Sequence, residues 1–362
     1  MSLRVAIVGC GKVSDAHAAQ IRRIAECGLV AVCDREELMA RQLAERFGAE
    51  RYFTDLDGLL RESRPDVVHI TTPPQSHFEI ARQCLEHGCH VYVEKPFTID
   101  VKEAEALISL AEDTGRHLTV GHHEQFSPAA QRMRELVRQG YLGNSVVHLD
   151  SYYGYDLGDG AYAGAFLADS AHWVRRLPGG LLHNIISHGL ARIAEFLQGD
   201  KPQVKAHAFT SRALAERGAR DVLDELRVMI VDEASTTAYF TFSSTMRPVL
   251  NQFHAFGSNN GLVLDETQQT VVKLRGAAFK SYVERFVPPV VFARQHVANA
   301  ARNMRLFLKN EFHMEQGKKN LIAAFYRSIS ERGPLPIPYR EILITARLMD
   351  SVFEQIGEVV PC

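Results

Sequence analysis

The sequence lacks the features that mark secreted, membrane-spanning and nucleic-acid-binding proteins. Its six cysteines show neither CxxC nor zinc-ligand spacing, which in a chain of 362 residues is typical of reduced thiols in the cytosol. Its apolar runs are of strand length, far below the roughly 20 residues of a membrane span. The formal net charge is only −2, without a long run of one sign, so neither nucleic acid nor a membrane is expected as a partner. Residues Met1–Gly11 lead straight into a strand and a glycine turn, so we expect no signal peptide and a cytoplasmic location.

The N-terminal third alternates predicted strands and helices. Continuous apolar strands separated by helices predict a parallel sheet that is covered on both faces. The predicted strands are Leu3–Val8, Leu29–Cys33, Asp66–Thr71, His90–Val93 and His117–Gly121. The predicted helices are Val13–Glu26, Leu38–Phe47, Ser76–His87 and Val101–Thr114.

In the second half of the chain, β-rich segments joined by turns replace the alternation of strands and helices. A chain of 362 residues is also longer than one hydrophobic core usually supports, so a second domain is expected. Its β-rich segments are Ser145–Tyr155, Gln203–Ser211, Leu226–Ser243, Pro248–Gly257 and Gly261–Leu274. Ser258–Gly261 is a hairpin signal, so an open-faced, largely antiparallel mixed sheet in an α+β domain is expected. We therefore divide the chain into domains 1–125 and 126–362. The helices predicted at Glu315–Arg332 and Tyr339–Ile356 can pack back on the first domain.

A strand, a glycine turn and a helix start occupy Val5–Ser14. Gly9 permits the tight turn and Gly11 lets a pyrophosphate approach the backbone, while the helix that begins at Lys12 and Val13 directs its N–H groups at the anion. Asp34 ends the second strand, where a carboxylate accepts the ribose hydroxyls. A Rossmann domain that binds NAD is thus expected, with NADP disfavoured by Asp34 but tolerated if Arg35 meets its phosphate. The alternative is a purely structural glycine turn.

Four further motifs accompany this turn in order along the chain. They are Thr71–His77 (TTPPQSH), Glu94-Lys95-Pro96, Gly121–Phe126 (GHHEQF), and the segment from Gly179-Gly180 to His188. Together they resemble the Gfo/Idh/MocA family of glucose–fructose oxidoreductase, inositol dehydrogenase and rhizopine-catabolism proteins. The tail, with Tyr339–Leu343 and Ala346–Asp350, resembles members of that family from polysaccharide clusters.

The resemblance implies a nicotinamide cofactor, a carbohydrate or cyclitol substrate, and a second domain whose open sheet serves in oligomerisation. It places Thr72, Pro73 and His77 along the cofactor, and Lys95 against both the nicotinamide ribose and the substrate. Glu94 and Gln125, in the two neighbouring motifs, are assigned to cofactor binding as well.

The chemistry of alcohol oxidation needs a proton acceptor and a group that polarises the oxygen. The family usually presents aspartate and histidine four residues apart after the double glycine, whereas this chain has Asn184 and His188. On a helix these two share one face, and we predict His188 as general base, Lys95 as the charged partner of the substrate oxygen and Asn184 as a substrate anchor. The alternatives are a packing histidine, a solvated loop lysine and a helix-capping asparagine.

Two weaker patterns complete the candidate site. Arg175, in the segment Trp173–Arg176, is assigned to substrate because arginines there could hold a carboxylate or a diphosphate, although a solvated basic loop explains them equally well. His122 and His123 do not predict a metal site, because neighbours on a strand point to opposite sides.

Three functions remain open from the residues. The leading one is hydride transfer between NAD and a hydroxyl or keto carbon of a sugar or nucleotide sugar, by a homodimer or homotetramer. The second is elimination or hydrolysis with tightly bound NAD used transiently. The third is a non-catalytic, NAD-binding regulatory protein.

Overall fold

The chain forms two compact units. The computed structural model describes residues 2–157, 167, 169 and 171–356. The first unit comprises Met1–His123 and Gly317–Arg347, and the second comprises Glu124–Gln316 and Leu348–Cys362. This division differs from the expected domains 1–125 and 126–362, because 317–347 belong with the first unit.

The first unit is built on a parallel sheet of six strands. They are β1 (Leu3–Val8), β2 (Cys27–Cys33), β3 (Arg51–Phe53), β4 (Val67–Ile70), β5 (His90–Val93) and β6 (Leu118–Val120). The strand order is β3-β2-β1-β4-β5-β6, and every neighbouring pair is parallel. The order reverses direction between β1 and β4, which is the topological switch point of a Rossmann fold.

Helices join these strands. They are α1 (Lys12–Ile21), α2 (Glu37–Phe47), α3 (Leu56–Ser63), α4 (His77–Glu86) and α5 (Val101–Asp113). The sequence interpretation omitted β3 and α3, because β3 is only three residues long and largely exposed and so lacks a strand pattern. It also extended α1 to Glu26, whereas the helix ends at Ile21.

The second unit contains a mixed sheet of seven strands. They are β7 (Val146–Gly154), β8 (Gln203–Phe209), β9 (Glu225–Val231), β10 (Thr237–Ser243), β11 (Asn251–Gly257), β12 (Asn260–Asp265) and β13 (Thr270–Arg275). The order is β13-β12-β11-β7-β10-β9-β8, in which only β7 and β10 pair in parallel. The predicted fold class is confirmed, and so is the hairpin at Ser258–Gly261, which links β11 to β12.

One predicted β-rich segment, Leu226–Ser243, is in fact a hairpin of β9 and β10. The side chain of Asp232 accepts the backbone N–H groups of Ala234 and Thr236, at 2.9 and 2.8 Å, and Ser235 between them has a left-handed φ of 65°. This carboxylate satisfies the turn's amides in place of a strand partner, so the chain reverses there. Gly261–Leu274 divides in the same way into β12 and β13.

Helices of the second unit cover one face and one edge of this sheet. They are α6 (Pro128–Arg138), α7 (Gly180–Ile185), α8 (Ser187–Ala194), α9 (Arg212–Glu216) and α10 (Val283–Leu308). Gly189 of α8 lies so close to β10 that a Cβ atom would sit 2.2 Å from the ring of Phe240, so this contact requires glycine. The sequence interpretation missed α10, which contains Pro288 and Pro289.

The last two helices are α11 (Gln316–Ser330) and α12 (Tyr339–Ile356). Leu321, Ile322 and Phe325 of α11 are fully buried, which explains why 317–347 join the first unit. No helix in the described parts of the chain has the length and apolarity to cross a bilayer.

Candidate active site

The sequence-predicted residues of the first unit gather along one edge of its sheet. Gly9, Asp34, Thr71 and Glu94 each directly follow the carboxyl end of a strand, namely β1, β2, β4 and β5. In parallel sheets these ends meet at the same edge, and ligands bind there beside the switch point. The cofactor motifs are therefore brought together.

The two glycines of the turn do different work. Gly9 has a φ of 94°, and a Cβ atom on it would lie 2.7 Å from the backbone nitrogen of Thr72. Gly11 has an ordinary φ of −75°, and a Cβ atom on it would meet no other atom within 4 Å. Gly9 is thus required by the fold, whereas the open space beside Gly11 is available to a ligand.

The start of α1 provides the groups that a phosphate needs. Gly11 is the N-cap and no side chain caps the helix, so its first N–H groups remain directed outward. Lys12 and Val13 are exposed in this first turn, whereas Ser14 is fully buried and donates its hydroxyl to the carbonyl of Gly11. These features fit a pyrophosphate at the helix N-terminus.

Asp34 is held in place by the same turn. Its carboxylate accepts the N–H of Cys10 at 2.7 Å and the N–H of Glu36 at 3.0 Å. Each carboxylate oxygen has a further lone pair, so two ribose hydroxyls could be accepted without breaking these bonds. Arg35 beside it is exposed. Burial, followed by the charge of Asp34, raises the pKa of the Cys10 thiol to about 12, so no thiolate competes with a phosphate here.

The ring of His77 contacts two loops at the carboxyl edge of the sheet, those that follow β4 and β5. The ring is fully buried, with Nε2 2.8 Å from the carbonyl oxygen of Thr72 and Nδ1 3.0 Å from that of Pro96. Burial lowers its pKa, so the ring is neutral and donates on one edge only. Both ring nitrogens face protein carbonyls. Of the other two residues predicted in this motif, Thr72 is half-buried and Pro73 is exposed.

Glu94 lies in a buried polar network that sequence reasoning missed. Its carboxylate is 2.7 Å from His17 Nε2 and 3.4 Å from Lys318 Nζ, and it accepts the backbone N–H of Lys95 at 3.0 Å. Burial raises the pKa of Glu94, but the Lys318 ammonium and the His17 hydrogen bond outweigh it and hold that pKa well below its usual range. Gly121 makes room for this carboxylate, because a Cβ atom there would lie 3.1 Å from it.

The direction of every hydrogen bond in this network follows from that carboxylate. Burial lowers the pKa values of His17 and His69, so each neutral ring donates once. His17 Nε2–H donates to Glu94, and His17 Nδ1 therefore accepts from His69 Nδ1, 2.9 Å away. His69 Nε2 in turn accepts the hydroxyl of Tyr326 at 2.8 Å. The chain Tyr326–His69–His17–Glu94 is fully satisfied and fixes the carboxylate that anchors the backbone of Lys95.

In the second unit, Asn184 and His188 do not lie on one continuous helix. Asn184 is half-buried on α7, whereas His188 is buried on α8, and Ile186 separates the two helices. Ile186 keeps helical angles (φ −71°, ψ −15°), and its N–H still bonds to the carbonyl of Leu182 at 2.9 Å. The helical path from Asn184 to His188 is therefore interrupted only at Ile186.

His188 rests on an aromatic ring that is fixed by buried charges. The ring of Tyr153 stacks on it with a centroid distance of 6.1 Å, and the Tyr153 hydroxyl donates to Glu124 at 2.9 Å. Arg192, one turn beyond His188 on α8, bridges Glu124 at 2.9 Å and Glu266 at 3.0 Å. Nothing in the local pattern of the sequence links these residues, which come from four different segments.

Two predicted site residues engage elsewhere in the second unit. Gln125 is buried and donates to the carbonyl of Ala191 at 3.3 Å and to Glu195 at 3.1 Å. Arg175 pairs with Asp221 at 2.6 Å and lines a cleft of about 240 Å³ beside Gly179 and Gly180. Asn184 and His188 are not among the residues of that cleft.

The histidine pair is placed differently from the expectation. His122 and His123 follow the end of β6 at Val120, so the argument from opposite faces of a strand does not apply. His122 is buried, and burial lowers its pKa to about 3. Within the described ranges, no three histidine, cysteine or acidic side chains cluster as metal ligands do.

A protein-family model matches the N-terminal third of the chain. Residues 3–122 match the GFO_IDH_MocA model, described as an oxidoreductase family with an NAD-binding Rossmann fold. The resemblance to the Gfo/Idh/MocA oxidoreductases that the sequence motifs indicated is therefore confirmed over residues 3–122, and so is the NAD class of the cofactor.

Individual relatives agree with this family. The chain is 37% identical over 146 residues, 40% of its length and 42% of the relative's, to the D-glucoside 3-dehydrogenase of Escherichia coli K12. It is 35% identical over 133 residues, 37% of its length and 41% of the relative's, to the UDP-N-acetylglucosamine 3-dehydrogenase of Acidithiobacillus ferrooxidans. These matches span less than half the length of the relatives.

A longer match and a solved structure extend the likeness. An inositol 2-dehydrogenase of Rhizobium meliloti is 24% identical over 274 residues, 75% of this chain and 78% of the relative. The WlbA dehydrogenase of Bordetella pertussis, solved with NADH and UDP-GlcNAcA, superposes with a TM-score of 0.77 at 16% identity, covering 99% of this chain and 96% of that one. The fold of both units thus has a solved counterpart.

Proposed function

We propose that the protein is an NAD-dependent oxidoreductase that moves a hydride between nicotinamide and a CH–OH carbon of a sugar or nucleotide sugar. The observation that carries this proposal is the placement of Gly11, Asp34, Thr72 and Lys95 at the carboxyl ends of neighbouring strands around the switch point. The family of residues 3–122 and the names of its relatives support the reaction class.

NAD is proposed in preference to NADP. The Asp34 carboxylate is fixed by two backbone N–H groups at the end of β2, where the adenosine ribose would lie. A 2′-phosphate there would meet this negative charge, and the exposed Arg35 would have to compensate for it.

The proposed chemistry divides between the cofactor and three side chains. NAD supplies the hydride acceptor or donor when it is bound. Lys95 polarises the reacting oxygen through its ammonium group, and His188 accepts the hydroxyl proton. Asn184 has an amide in place of a carboxylate, so it anchors a substrate hydroxyl and relays no proton. Lys95 belongs to the first unit and His188 to the second, and both roles are part of this proposal.

Glu94 and Gln125 support the site without contacting the cofactor, in this proposal. The buried carboxylate of Glu94 holds the N–H of Lys95, and the neutral histidines behind it leave that carboxylate no freedom to rotate. Gln125 ties the chain just after the first unit to α8, which carries His188. Both residues therefore position catalytic groups.

The substrate class rests on relatives that act on glucosides, cyclitols and nucleotide sugars. Arg175 is proposed to hold an anionic part of the substrate, such as a carboxylate or a diphosphate, in exchange for its exposed partner Asp221. A substrate without such a group would leave the Arg175–Asp221 pair intact.

We also propose a cytoplasmic homo-oligomer assembled through the open sheet. The outer face of β8, β9 and β10 exposes Met229, Tyr239 and Phe209, and no described helix covers it. Exposed apolar faces of this kind are typical of subunit interfaces.

A steady-state assay tests the proposal. The protein is mixed with NAD and a panel of free and nucleotide-linked sugars, and NADH absorbance is followed over many turnovers. Continued NADH formation with one substrate class is expected. Product formation without net NADH would support the transient use of bound NAD, and NAD binding without any turnover would support a regulatory protein; either result would reject the proposal.

A further inference from the structure

The helix α10 has its amphipathic faces reversed relative to an ordinary surface helix. Its inner face meets the edge strand β13 through amides: Gln295 accepts the N–H of Lys273 at 2.8 Å, and the buried Asn299 donates to the carbonyl of Val271 at 3.0 Å. These amides satisfy the unpaired backbone groups of a sheet edge. The side that remains for apolar residues is the side that faces solvent.

The outward face carries a continuous apolar stripe. Its members recur at intervals of three or four residues, which places them along one side of the helix. Phe286, Val297 and Met304 are 70%, 71% and 60% exposed. The stripe comprises Phe286, Val290, Ala293, Val297, Ala301, Met304 and Leu308. A soluble helix normally turns such a stripe towards its own core.

Basic residues accompany the stripe. Between Lys280 and Lys309 the sequence contains six lysines and arginines and a single acidic residue, Glu284. Arg294, Arg305 and Lys309 are exposed and lie along one flank of the stripe. In a chain with a net charge of only −2, this segment is a local concentration of positive charge.

We propose that α10 docks on an anionic lipid surface, with the stripe inserted among the acyl chains and the flanking cations on the headgroups. An apolar face bordered by lysine and arginine is the pattern of interfacial helices. A second copy of the chain would instead bring two sets of arginines together, with only Glu284 from each to offset them. Charge complementarity therefore selects the lipid.

The sequence-based expectation of no membrane partner rested on apolar run length and on net charge. Neither property detects such a helix, because the stripe is interrupted in sequence and its charges are diluted by the rest of the chain. The inference does not depend on the proposed redox activity.

Vesicle flotation tests the proposal with the whole protein. Vesicles of phosphatidylcholine mixed with phosphatidylglycerol are compared with vesicles of phosphatidylcholine alone. We expect binding to the anionic vesicles that weakens with salt, and little binding to the neutral ones. Absence of binding to the anionic vesicles at low salt would overturn the proposal.

Two triple variants separate the stripe from its charges. Phe286→Ala/Val297→Ala/Met304→Ala removes apolar area, while alanine favours the helix. We expect this variant to bind the anionic vesicles at least about tenfold more weakly than the unmodified protein. Arg294→Glu/Arg305→Glu/Lys309→Glu reverses the charge of the flank and should weaken binding similarly. The matched control Arg212→Glu/Arg217→Glu/Arg220→Glu makes the same charge change at exposed positions in and just after α9 and should bind like the unmodified chain.

Unchanged vesicle binding by the alanine variant would contradict the proposal, as would equal losses in the control. Sedimentation without lipid supplies the remaining outcome. If the unmodified protein forms a dimer and does not bind vesicles, and the alanine variant is monomeric, the stripe binds a second copy of the chain. This result would overturn the assignment to lipid.

Discussion

Gly9 and Gly11 are two residues apart, but they lie in different surroundings. Gly9 is confined by the backbone of Thr71 and Thr72 and has a positive φ, whereas Gly11 borders open space. A methyl group at the first position must disturb the protein itself, and at the second it can disturb only a ligand.

Alanine substitutions at these two positions should therefore separate folding from cofactor binding. Gly9→Ala is expected to destabilise the protein by about 1–3 kcal/mol or more, because it adds strain in the left-handed region and a backbone clash. Gly11→Ala is expected to leave the thermal midpoint unchanged and to weaken NAD at least about tenfold, since its methyl group fills the phosphate cradle. Thermal unfolding and calorimetric titration measure the two effects. Normal NAD affinity in Gly11→Ala would show that no cofactor phosphate binds at this turn.

Asp34 combines a structural and a recognition role in one carboxylate. Asp34→Asn is expected to lower NAD affinity, because the amide nitrogen cannot accept a ribose hydroxyl, and to lower NADP affinity less, because the negative charge is gone. Any damage to the turn itself affects both cofactors equally, so the ratio of the two dissociation constants isolates the ribose contact. An unchanged ratio would reject that contact.

At the scale of elements, local sequence signals predicted the strand ends well. Gly9, Asp34 and Glu94 each follow a short run of apolar residues, and such a run marks a buried strand without reference to the rest of the chain. The helix α10 escaped prediction because its two prolines suggest a loop and its apolar residues face outward.

The buried network escaped prediction for a different reason. His17 and His69 are 52 residues apart in the sequence, and His69 and Tyr326 are 257 apart, so only tertiary folding unites them. Likewise, no local pattern shows that the carboxylate of Glu94, which the sequence assigned to cofactor binding, already pairs with His17 and Lys318. A residue type within a motif indicates chemistry, but its hydrogen-bond partners depend on the whole fold.

These buried histidines should make the first unit sensitive to acid. Burial lowers the pKa values of His17, His69, His77 and His122, so each stays neutral in the folded state below pH 6.5 while the unfolded chain takes up a proton. The contribution of these histidines to the free energy of unfolding is therefore fully present above that pH. It falls as the pH decreases, by up to about 1.4 kcal/mol per pH unit for each histidine. Glu94, whose pKa is lowered, adds a loss in the same direction only below its ordinary value of 4.5.

Urea unfolding between about pH 7 and pH 5 measures this dependence. His122→Gln should reduce the slope by up to one proton, because a glutamine at this position takes up no proton in either state. A free energy of unfolding that stays constant over this range would show that the four histidines titrate normally in the folded protein.

At the scale of the whole molecule, the open sheet is the surface proposed for assembly. Tyr239 and Met229 are 51% and 42% exposed on it and pair across β10 and β9. Tyr239→Asp/Met229→Asp places two charges on this apolar patch and should shift the oligomer to monomer in sedimentation without lowering the thermal midpoint of the monomer. An oligomer that survives both charges would have to use another surface.

The central claim is hydride transfer beside Lys95. It is tested most directly by following deuterium from the reacting carbon of a labelled sugar substrate to the nicotinamide ring by mass spectrometry. The account predicts one deuterium per NADH formed, and a rate that falls by about 10²-fold or more in Lys95→Ala while NAD still binds. Deuterium released to water, or a Lys95→Ala variant that transfers label at a normal rate, would contradict it.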